Sequence, residues 1–241
     1  MAQRTRAAQG QRAGKPAASP VGWTPPDLRG KVAVVAGASR GAGRGIALAL
    51  GGCGATVYVT GRTTREGPKP FDSAPGNIDD TAAEVTRRGG QGIAIRVDHA
   101  VESEVAQLFA RVEREQQRLD ILANAVWGGS EPFVKNHWKR RLFWELEDAG
   151  WRETMMAGAY AYWLASVHAA RLMVRRGARR KGLIVHVTEP ILEKYDRGGP
   201  PFWMFWMLAH RVINRMNEAM SPDLKKRNIA TIALAPGWMR T

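Results

Sequence analysis

Residues 31–50 read KVAVVAGASRGAGRGIALAL, and this stretch decides the fold. Its first part, 32–36, is short, apolar and rich in β-branched side chains, which predicts a strand buried on both faces. A glycine-dense turn follows at once, and the apolar residues of 46–50 are then spaced as along one side of a helix. Free amide groups at a helix start attract anions, and the helix dipole adds to that attraction. Strand, glycine turn and helix in this order therefore predict a phosphate-binding site.

The turn carries Gly37, Gly41 and Gly43, with the spacing G-x-x-x-G-x-G. Glycine permits a tight turn, and it permits a pyrophosphate to come closer to the backbone than a Cβ would allow. We expect Ser39 and Arg40, which lie between these glycines, to face the same ligand. The alternative is a plain strand–helix connection that binds nothing, because such turns also occur as structure alone.

Length and composition limit the class of protein. The chain has 241 residues, which suits one sizeable α/β domain. Cys53 is the only cysteine, so an internal disulfide and a multi-cysteine zinc site are excluded, and we expect no metal. No apolar run approaches ~18 residues and the N-terminus lacks the apolar core of a signal peptide. We therefore expect no membrane span, and a cytoplasmic location.

The chain is strongly basic, with a net charge of +14 at pH 7 and a pI near 10.7. Such values suit a polyanionic partner. The basic residues are scattered along the sequence, however, and no recognised nucleic-acid-binding module accompanies them. We therefore expect a solvated basic surface, with neither a nucleic acid nor a membrane as partner; the remaining alternative is a basic nucleic-acid-associated protein, which salt-sensitive DNA binding would favour. The clusters lie in residues 4–15, 139–141, 175–181 and 225–227.

Residues 1–27 are rich in Ala, Gly, Arg and Pro, which predicts a disordered basic tail; a transit peptide is the alternative. The remainder, 28–241, alternates short apolar runs with helical patterns. That alternation predicts one α/β domain, a doubly wound parallel sheet of Rossmann type with right-handed crossovers. Further strands are expected at 55–60, 92–98, 119–124, 183–188 and 229–234, and further helices at 78–88, 102–116, 153–175 and 202–220.

The end of the second strand bears on the choice of dinucleotide. Arg62 follows that strand, where a doubly wound sheet meets the adenosine ribose. An acidic residue there would bind the 2′-hydroxyl of NAD, and none is present. The guanidinium groups of Arg62 and Arg40 suit a 2′-phosphate. The sequence therefore favours NADP over NAD, the alternative being that both are ordinary surface arginines.

From about Leu28 to Thr241 the chain resembles the short-chain dehydrogenase/reductase family. The residues that carry the resemblance are the glycine motif, Arg62, Asp98, Asn124, the Pro236–Gly237 turn and Thr241. The resemblance implies that Asp98 lies against the adenine and that Asn124, Pro236, Gly237 and Thr241 lie on the cofactor side. The alternatives are that Asp98 caps the following helix and that Asn124 bonds to neighbouring backbone.

The resemblance is incomplete at the C-terminal end. The family usually continues past the Pro236–Gly237 turn with a substrate lid and a seventh strand, whereas this sequence stops at Thr241. We expect a sheet without that strand and a site without that lid. The helix at 153–175 is apolar around much of its circumference, and we expect it to pack on the sheet and on a partner subunit of a homo-oligomer.

The family transfers a hydride between C4 of a nicotinamide and a carbonyl or carbinol carbon, using a Tyr-x-x-x-Lys pair, a serine and an asparagine. Those positions fall on Trp206 and His210, on Thr188 or Glu189, and on Met155 or a near neighbour. An indole has no useful acidity, so Trp206 cannot donate the proton. An unperturbed histidine titrates near neutrality, so we expect His210 to act as the acid or to take part of the lysine's role. The alternative is a helix-surface histidine.

The expected function is an NADP(H)-dependent oxidoreductase that acts on a carbonyl or hydroxyl compound. Aromatic residues around the expected site favour an apolar substrate; they are Trp203, Phe205, Trp206 and Trp238. Tyr195 is the nearest substitute for the family's tyrosine, although Gly199 stands where its lysine would be. The alternative function is a pseudoenzyme that binds NADP and serves as a sensor or a partner subunit.

Overall fold

The structure is a computed structural model that describes residues 24–67, 75–128, 142–175, 177, 181–189 and 204–237. The strands are β1 Val32–Ala36, β2 Thr56–Gly61, β3 Gln91–Arg96, β4 Ile121–Asn124, β5 Gly182–Val187 and β6 Ile229–Leu234. The helices are α1 Gly41–Gly52, α2 Ile78–Arg87, α3 Glu102–Gln116, α4 Asp148–Thr154, α5 Ala161–Arg175 and α6 Met204–Lys225. A 3₁₀ turn at Phe143–Glu145 precedes α4, and a π-helical segment, Met155–Tyr160, joins α4 to α5.

The described strands form one parallel sheet in the order β3-β2-β1-β4-β5-β6. All five residues of β1 are buried, as their continuous apolar run predicted for a strand covered on both faces. The winding reverses between β1 and β4, and ligands of such sheets bind beyond the carboxyl ends of the strands at that reversal. The predicted doubly wound fold is confirmed, and it directs attention to this end of the sheet.

Two apolar layers attach the helices to the sheet. In the first layer, Val35 and Val57 of the sheet belong to one buried cluster with Leu48 of α1 and Val85 of α2. The second layer joins the sheet to α3, α5 and α6. Its buried residues include Val34, Leu122, Ile184, Leu108, Leu172 and Leu224. These three helices therefore share one side of the sheet.

The strand expected at 92–98 is shorter in the structure, because β3 ends at Arg96. Beyond it, the Asp98 carboxylate accepts a hydrogen bond from the backbone N–H of Ala100 (3.0 Å). The amide of Asp98 itself donates to Glu104 Oε2 (2.7 Å), which turns the chain towards α3. The helix α3 has the expected bounds, but its N-cap residue is Val101, so the interpretation of Asp98 as the cap is wrong.

The helix expected at 153–175 begins earlier, at Asp148, and contains the π-helical segment. The helix expected at 202–220 runs from Met204 to Lys225, with Pro222 in its last turn. Most of the expected tail, 1–23, and Thr241 lie outside the described residues, together with Tyr195, Trp203 and Trp238. Within the part of the chain that the structure describes, no helix is both long and apolar enough to cross a membrane.

Candidate cofactor and substrate site

The glycine turn lies at the carboxyl end of β1, as the sequence predicted. Gly37 has φ +80°, a conformation that favours glycine. The amides of Gly37 and Ala38 both donate to the carbonyl oxygen of Thr60, at 3.0 and 2.9 Å. A Cβ on Gly37 would lie 2.5 Å from the carbonyl oxygen of Ala125, just after β4. Glycine is therefore required here by the turn and by the neighbouring backbone.

Gly43 lies in close contact with the glycine turn itself. A Cβ on Gly43 would lie 2.2 Å from the carbonyl oxygen of Gly37 and 3.2 Å from the Ala125 side chain. A side chain at Gly43 is thus excluded by the protein itself, namely by the glycine turn that precedes α1. Both glycines are therefore required by contacts within the protein, and their part in binding a pyrophosphate stays a prediction.

The start of α1 nevertheless fits a phosphate group. Its N-cap residue, Arg40, has an extended backbone and its side chain does not cap the helix. The first turn carries no acidic residue, and Gly41 opens the helix with φ +55°. Amide groups at an uncapped helix start, together with the positive end of the dipole, are a suitable site for an anion. A dinucleotide pyrophosphate would be held by these amides, with Ser39 in the preceding turn.

The two arginines expected at a 2′-phosphate have different partners. Arg40 donates to Thr63 Oγ1 (3.0 Å) and to the carbonyl oxygen of Gly76 (3.2 Å), which holds its guanidinium beside the chain that leaves β2. Arg62 reaches the loop after β4, where a Cβ on Gly128 would lie 3.5 Å from its Nη2. Arg40 and Thr63 are thus brought together at the end of β2.

Asn124 ends β4 and is fully buried. Its Nδ2 lies 3.2 Å from Ser166 Oγ, 3.3 Å from His186 Nδ1 and 3.4 Å from the carbonyl oxygen of Tyr162. Its amide nitrogen therefore bonds to α5 and β5, which agrees with the alternative that Asn124 serves neighbouring protein groups. Its Oδ1 has no hydrogen-bond partner within the described ranges.

Two residues chosen from the sequence as catalytic candidates meet in the structure. Thr188, just after β5, is anchored by its amide to the carbonyl oxygen of Leu234 (2.9 Å). Its Oγ1 lies 3.1 Å from Nδ1 of His210, on the facing side of α6. Burial lowers the pKa of His210 to about 4. The expectation that His210 titrates near neutrality is therefore wrong, and at pH 7 the imidazole is a neutral hydrogen-bonding group.

Two indole rings contact the His210 imidazole. The Trp127 ring stacks on the imidazole with centroids 4.7 Å apart and planes at 17°. The Trp206 ring meets the same imidazole edge-on at 4.5 Å. Nothing in the local sequence around Trp127 indicates that its ring would contact His210. Together, Trp127, Trp206 and His210 form what we call the aromatic cluster.

The π-helical segment makes room for Trp127. A Cβ on Gly158, within that segment, would lie 3.1 Å from Cζ3 of the Trp127 indole. The amide of Gly128 also donates to the carbonyl oxygen of Ala157, at 3.3 Å. The segment therefore positions the loop after β4 against α6, and a π-helical turn at such a place is often associated with a functional site.

The other candidates lie nearby with differing roles. Burial raises the pKa of the Glu189 carboxyl, and its backbone oxygen accepts from Asn214 Nδ2 (3.2 Å). Met155 packs against a small buried cluster that includes Ile213. Pro236 and Gly237 follow β6 and are exposed.

A parallel doubly wound sheet with a glycine turn and an uncapped helix start at its reversal point defines a dinucleotide-binding α/β protein. The family model of the short chain dehydrogenases matches residues 31–241, and the chain belongs to that family. The dehydrogenase/reductase SDR family member 1 of Mus musculus is 36% identical over 217 residues. That alignment covers 89% of this chain and 62% of the relative, so the chain spans less than two thirds of it.

Solved structures show the same fold with either cofactor. A metagenomic short-chain oxidoreductase in complex with NADP is 22% identical with a TM-score of 0.68, covering 88% of this chain and 84% of that one. An NADH-dependent reductase A1-R' complexed with NAD is 17% identical with a TM-score of 0.70, covering 88% and 79%. At these identities the likeness concerns the fold alone, and both cofactors occur within it.

Proposed function

We propose that this protein is an NADP(H)-dependent oxidoreductase that reduces a carbonyl compound or oxidises the corresponding alcohol. The observation that carries the proposal is the contact between Thr188 and His210, at the carboxyl ends of the strands and in a member of the short chain dehydrogenase family. The bound nicotinamide would supply or accept the hydride. The protein's own task is to bind the substrate oxygen and to manage its proton.

The Thr188–His210 pair always has one hydrogen-bond donor left for a ligand. If the Thr188 hydroxyl donates to Nδ1, the neutral imidazole carries its proton on Nε2. If Nδ1 carries the proton and donates to Oγ1, the hydroxyl proton of Thr188 is left over. In either arrangement a substrate oxygen can accept one hydrogen bond, which stabilises the negative charge that develops as the carbonyl becomes an alkoxide.

Two groups remain as sources of the proton that the alkoxide takes. The first is the remaining donor of the Thr188–His210 pair, which would recover its proton from solvent. The second is Glu189, whose carboxyl has a pKa raised by burial and so holds its proton to higher pH than an exposed glutamate. Trp206 contributes a wall of the site rather than acid–base chemistry.

The preference for NADP rests on Arg40 and Thr63. Their contact at the end of β2 combines a guanidinium with a hydroxyl, a donor pair that suits a phosphate monoester on the ribose. Asp98, beyond β3, remains the proposed neighbour of the adenine.

The substrate is proposed to be apolar or aromatic, since its oxygen would lie next to the aromatic cluster. A further aromatic pair, Trp151 and Phe205, continues this wall, with ring centroids 5.7 Å apart. We also propose a homo-oligomer that resides in the cytoplasm. Exposed apolar side chains on α5 and α6 support self-association, namely Trp163, Leu208 and Val212.

Calorimetric titration with NADPH and then a turnover assay on a panel of carbonyl compounds test the proposal. We expect NADPH binding, and oxidation of NADPH by at least one aromatic ketone or aldehyde. The Thr188→Val variant should lose most of the turnover and keep NADPH affinity within a few fold, because it loses only the hydroxyl. Binding without any turnover would instead support the pseudoenzyme, and no binding at all would overturn both.

A further inference from the structure

The fold gathers basic residues that are far apart in the sequence. Six exposed cationic side chains lie at the end of the sheet opposite the candidate site, and we call them the basic face. They are Lys31 before β1, Arg114 and Arg171 near the ends of α3 and α5, Lys181 before β5, and Lys225 and Arg227 at the end of α6. Within the described ranges, none of the six side chains has an ion pair or a hydrogen bond.

Ion pairs occur at both ends of the sheet. Carboxylates near the basic face pair with other cations, namely Glu113 with Arg175, Glu115 with Arg111 and Asp223 with Lys226. At the other end Arg65 pairs with Asp80, Arg96 with Glu104, and Arg152 with Asp148. Among the residues that the structure describes, the six cations of the basic face thus stay without an acidic partner although carboxylates lie near them. The sequence alone suggested a scattered, ordinary basic surface, because it does not show which turns share an end of the sheet.

The basic face is compact enough to act as one surface. The helices α3, α5 and α6 share one side of the sheet, and neighbouring helices pack 8–10 Å apart, so their three ends span roughly 20 Å. Each helix also ends here with about half a negative charge from its dipole. Six full positive charges exceed that contribution several-fold, so the face remains strongly positive.

We propose that the basic face binds the phosphate backbone of a duplex nucleic acid without reading its sequence. Phosphate contacts alone supply non-specific affinity and need no apolar or aromatic anchor. The large apolar side chains that are exposed among the described residues lie on other surfaces, including Trp144, Trp163 and Ile232. A face without such side chains has nothing to insert into a lipid bilayer and nothing to stack on an unpaired base.

Fluorescence anisotropy with a labelled 20-base-pair duplex tests this proposal on the full chain. We expect saturable binding at 50 mM salt, the same for two unrelated sequences. The slope of log K against log salt should be about −4 to −5, as expected for about five phosphate contacts at 0.9 per contact. Vesicles containing 30% phosphatidylserine serve as the competing polyanion, and we expect them to bind more weakly at the same salt.

Two triple variants with the same change in net charge distinguish binding by the basic face from attraction by the overall charge of the protein. Lys181→Gln, Lys225→Gln and Arg227→Gln together remove half of the basic face, whereas Arg96→Gln, Arg152→Gln and Arg215→Gln remove three cations elsewhere. The first variant should bind the duplex at least tenfold more weakly, with a slope about 2.7 units shallower, and the second should bind within threefold of the unmodified protein. Circular dichroism and urea unfolding check that both are folded.

Three outcomes overturn the proposal. The first is no saturable binding at 50 mM salt, and the second is an equal loss of affinity in both triple variants. The third is tighter binding to the vesicles than to the duplex, which would assign the face to an anionic membrane.

Discussion

His210 shows most directly how a residue acquires its chemistry from its surroundings. The spacing within α6 singled it out, and the structure places its Nδ1 3.1 Å from Thr188 Oγ1, while its catalytic role stays a prediction. Its protonation state was predicted wrongly, because the pKa depends on the rings of Trp127 and Trp206. Trp127 is 83 residues away from His210 in the sequence, and no local sequence pattern indicates a contact across that distance.

Substitution of His210 tests its role at the level of the single residue. His210→Ala should lower turnover at least ~10², a typical contribution of general-acid or hydrogen-bond catalysis, while NADPH affinity stays within a few fold. Because the pKa of His210 lies near 4, the imidazole is neutral above about pH 5, and the rate should not show a histidine ionisation near pH 7. His168→Ala is the matched control, because that histidine stacks on Phe109 away from the site. Unchanged turnover in His210→Ala would direct attention to Glu189.

Arg40 offers a second prediction at the same scale. If Arg40 and Thr63 bind the 2′-phosphate, the unmodified protein should bind NADPH at least ~10-fold more tightly than NADH, a gap of about 1.4 kcal/mol. Arg40→Ala should remove that gap by weakening NADPH alone, whereas Arg62→Ala should leave most of it. Calorimetry with both cofactors measures the four affinities, and equal affinities in the unmodified protein would refute the preference for NADP.

Among the elements, α1 and its turn were predicted best, but the reason for a glycine at position 43 was not predicted. The order of strand, turn and helix follows from 20 residues of sequence, since the apolar spacing and the glycines are local. The reason for Gly43 is not local, because it lies in the contact with Gly37 and with Ala125 beyond β4. The same limit applies to β3 and to the π-helical segment, whose bounds depend on Glu104 and Trp127.

A pair of glycine substitutions within α1 distinguishes contact from conformation. Gly43→Ala places a Cβ 2.2 Å from a backbone oxygen and should destabilise the fold by about 3 kcal/mol or more, at the upper end for overpacking. Gly45→Ala, two residues on, meets nothing within 4 Å and should stabilise the fold by up to about 1 kcal/mol through helix propensity. Urea unfolding measures both free energies, and a neutral Gly43→Ala would contradict the packing described for the turn.

The whole molecule combines an expected architecture with an unexpected distribution of charge and of histidines. The sheet could be predicted because each strand is a short apolar run between turn residues. The cations gather at one end because turns that are distant in the sequence lie next to each other in the fold. The burial of His99 and His186 likewise depends on how distant parts of the chain pack together. Burial lowers the pKa of both to about 4, as it does for His210.

These three histidines make the folded state sensitive to acid. Each has a folded pKa below its unfolded value of 6.5, so the unfolded chain binds more protons between about pH 6.5 and 4. Stability should therefore be constant above about pH 7 and decrease as the pH falls, by up to about 1.4 kcal/mol per pH unit for each histidine. Urea unfolding at pH 7.5 and 5.5 should show the decrease, and His99→Gln should reduce it by about a third. A stability that rises towards pH 5.5 would rule out this account.

The contact of Trp127 with Gly158 and His210 bears on how such a site can change by mutation. A Tyr-x-x-x-Lys pair would need Tyr at 206 and Lys at 210, but the Trp127 indole is stacked on the ring that the lysine would replace. A lysine alone would place an ammonium among indoles with no carboxylate paired to it, and a smaller residue at 127 alone would leave a cavity against Gly158. Positions 127, 206 and 210 are therefore coupled, because the three rings contact one another. A library that varies the three positions together would measure this coupling, which single substitutions do not reveal.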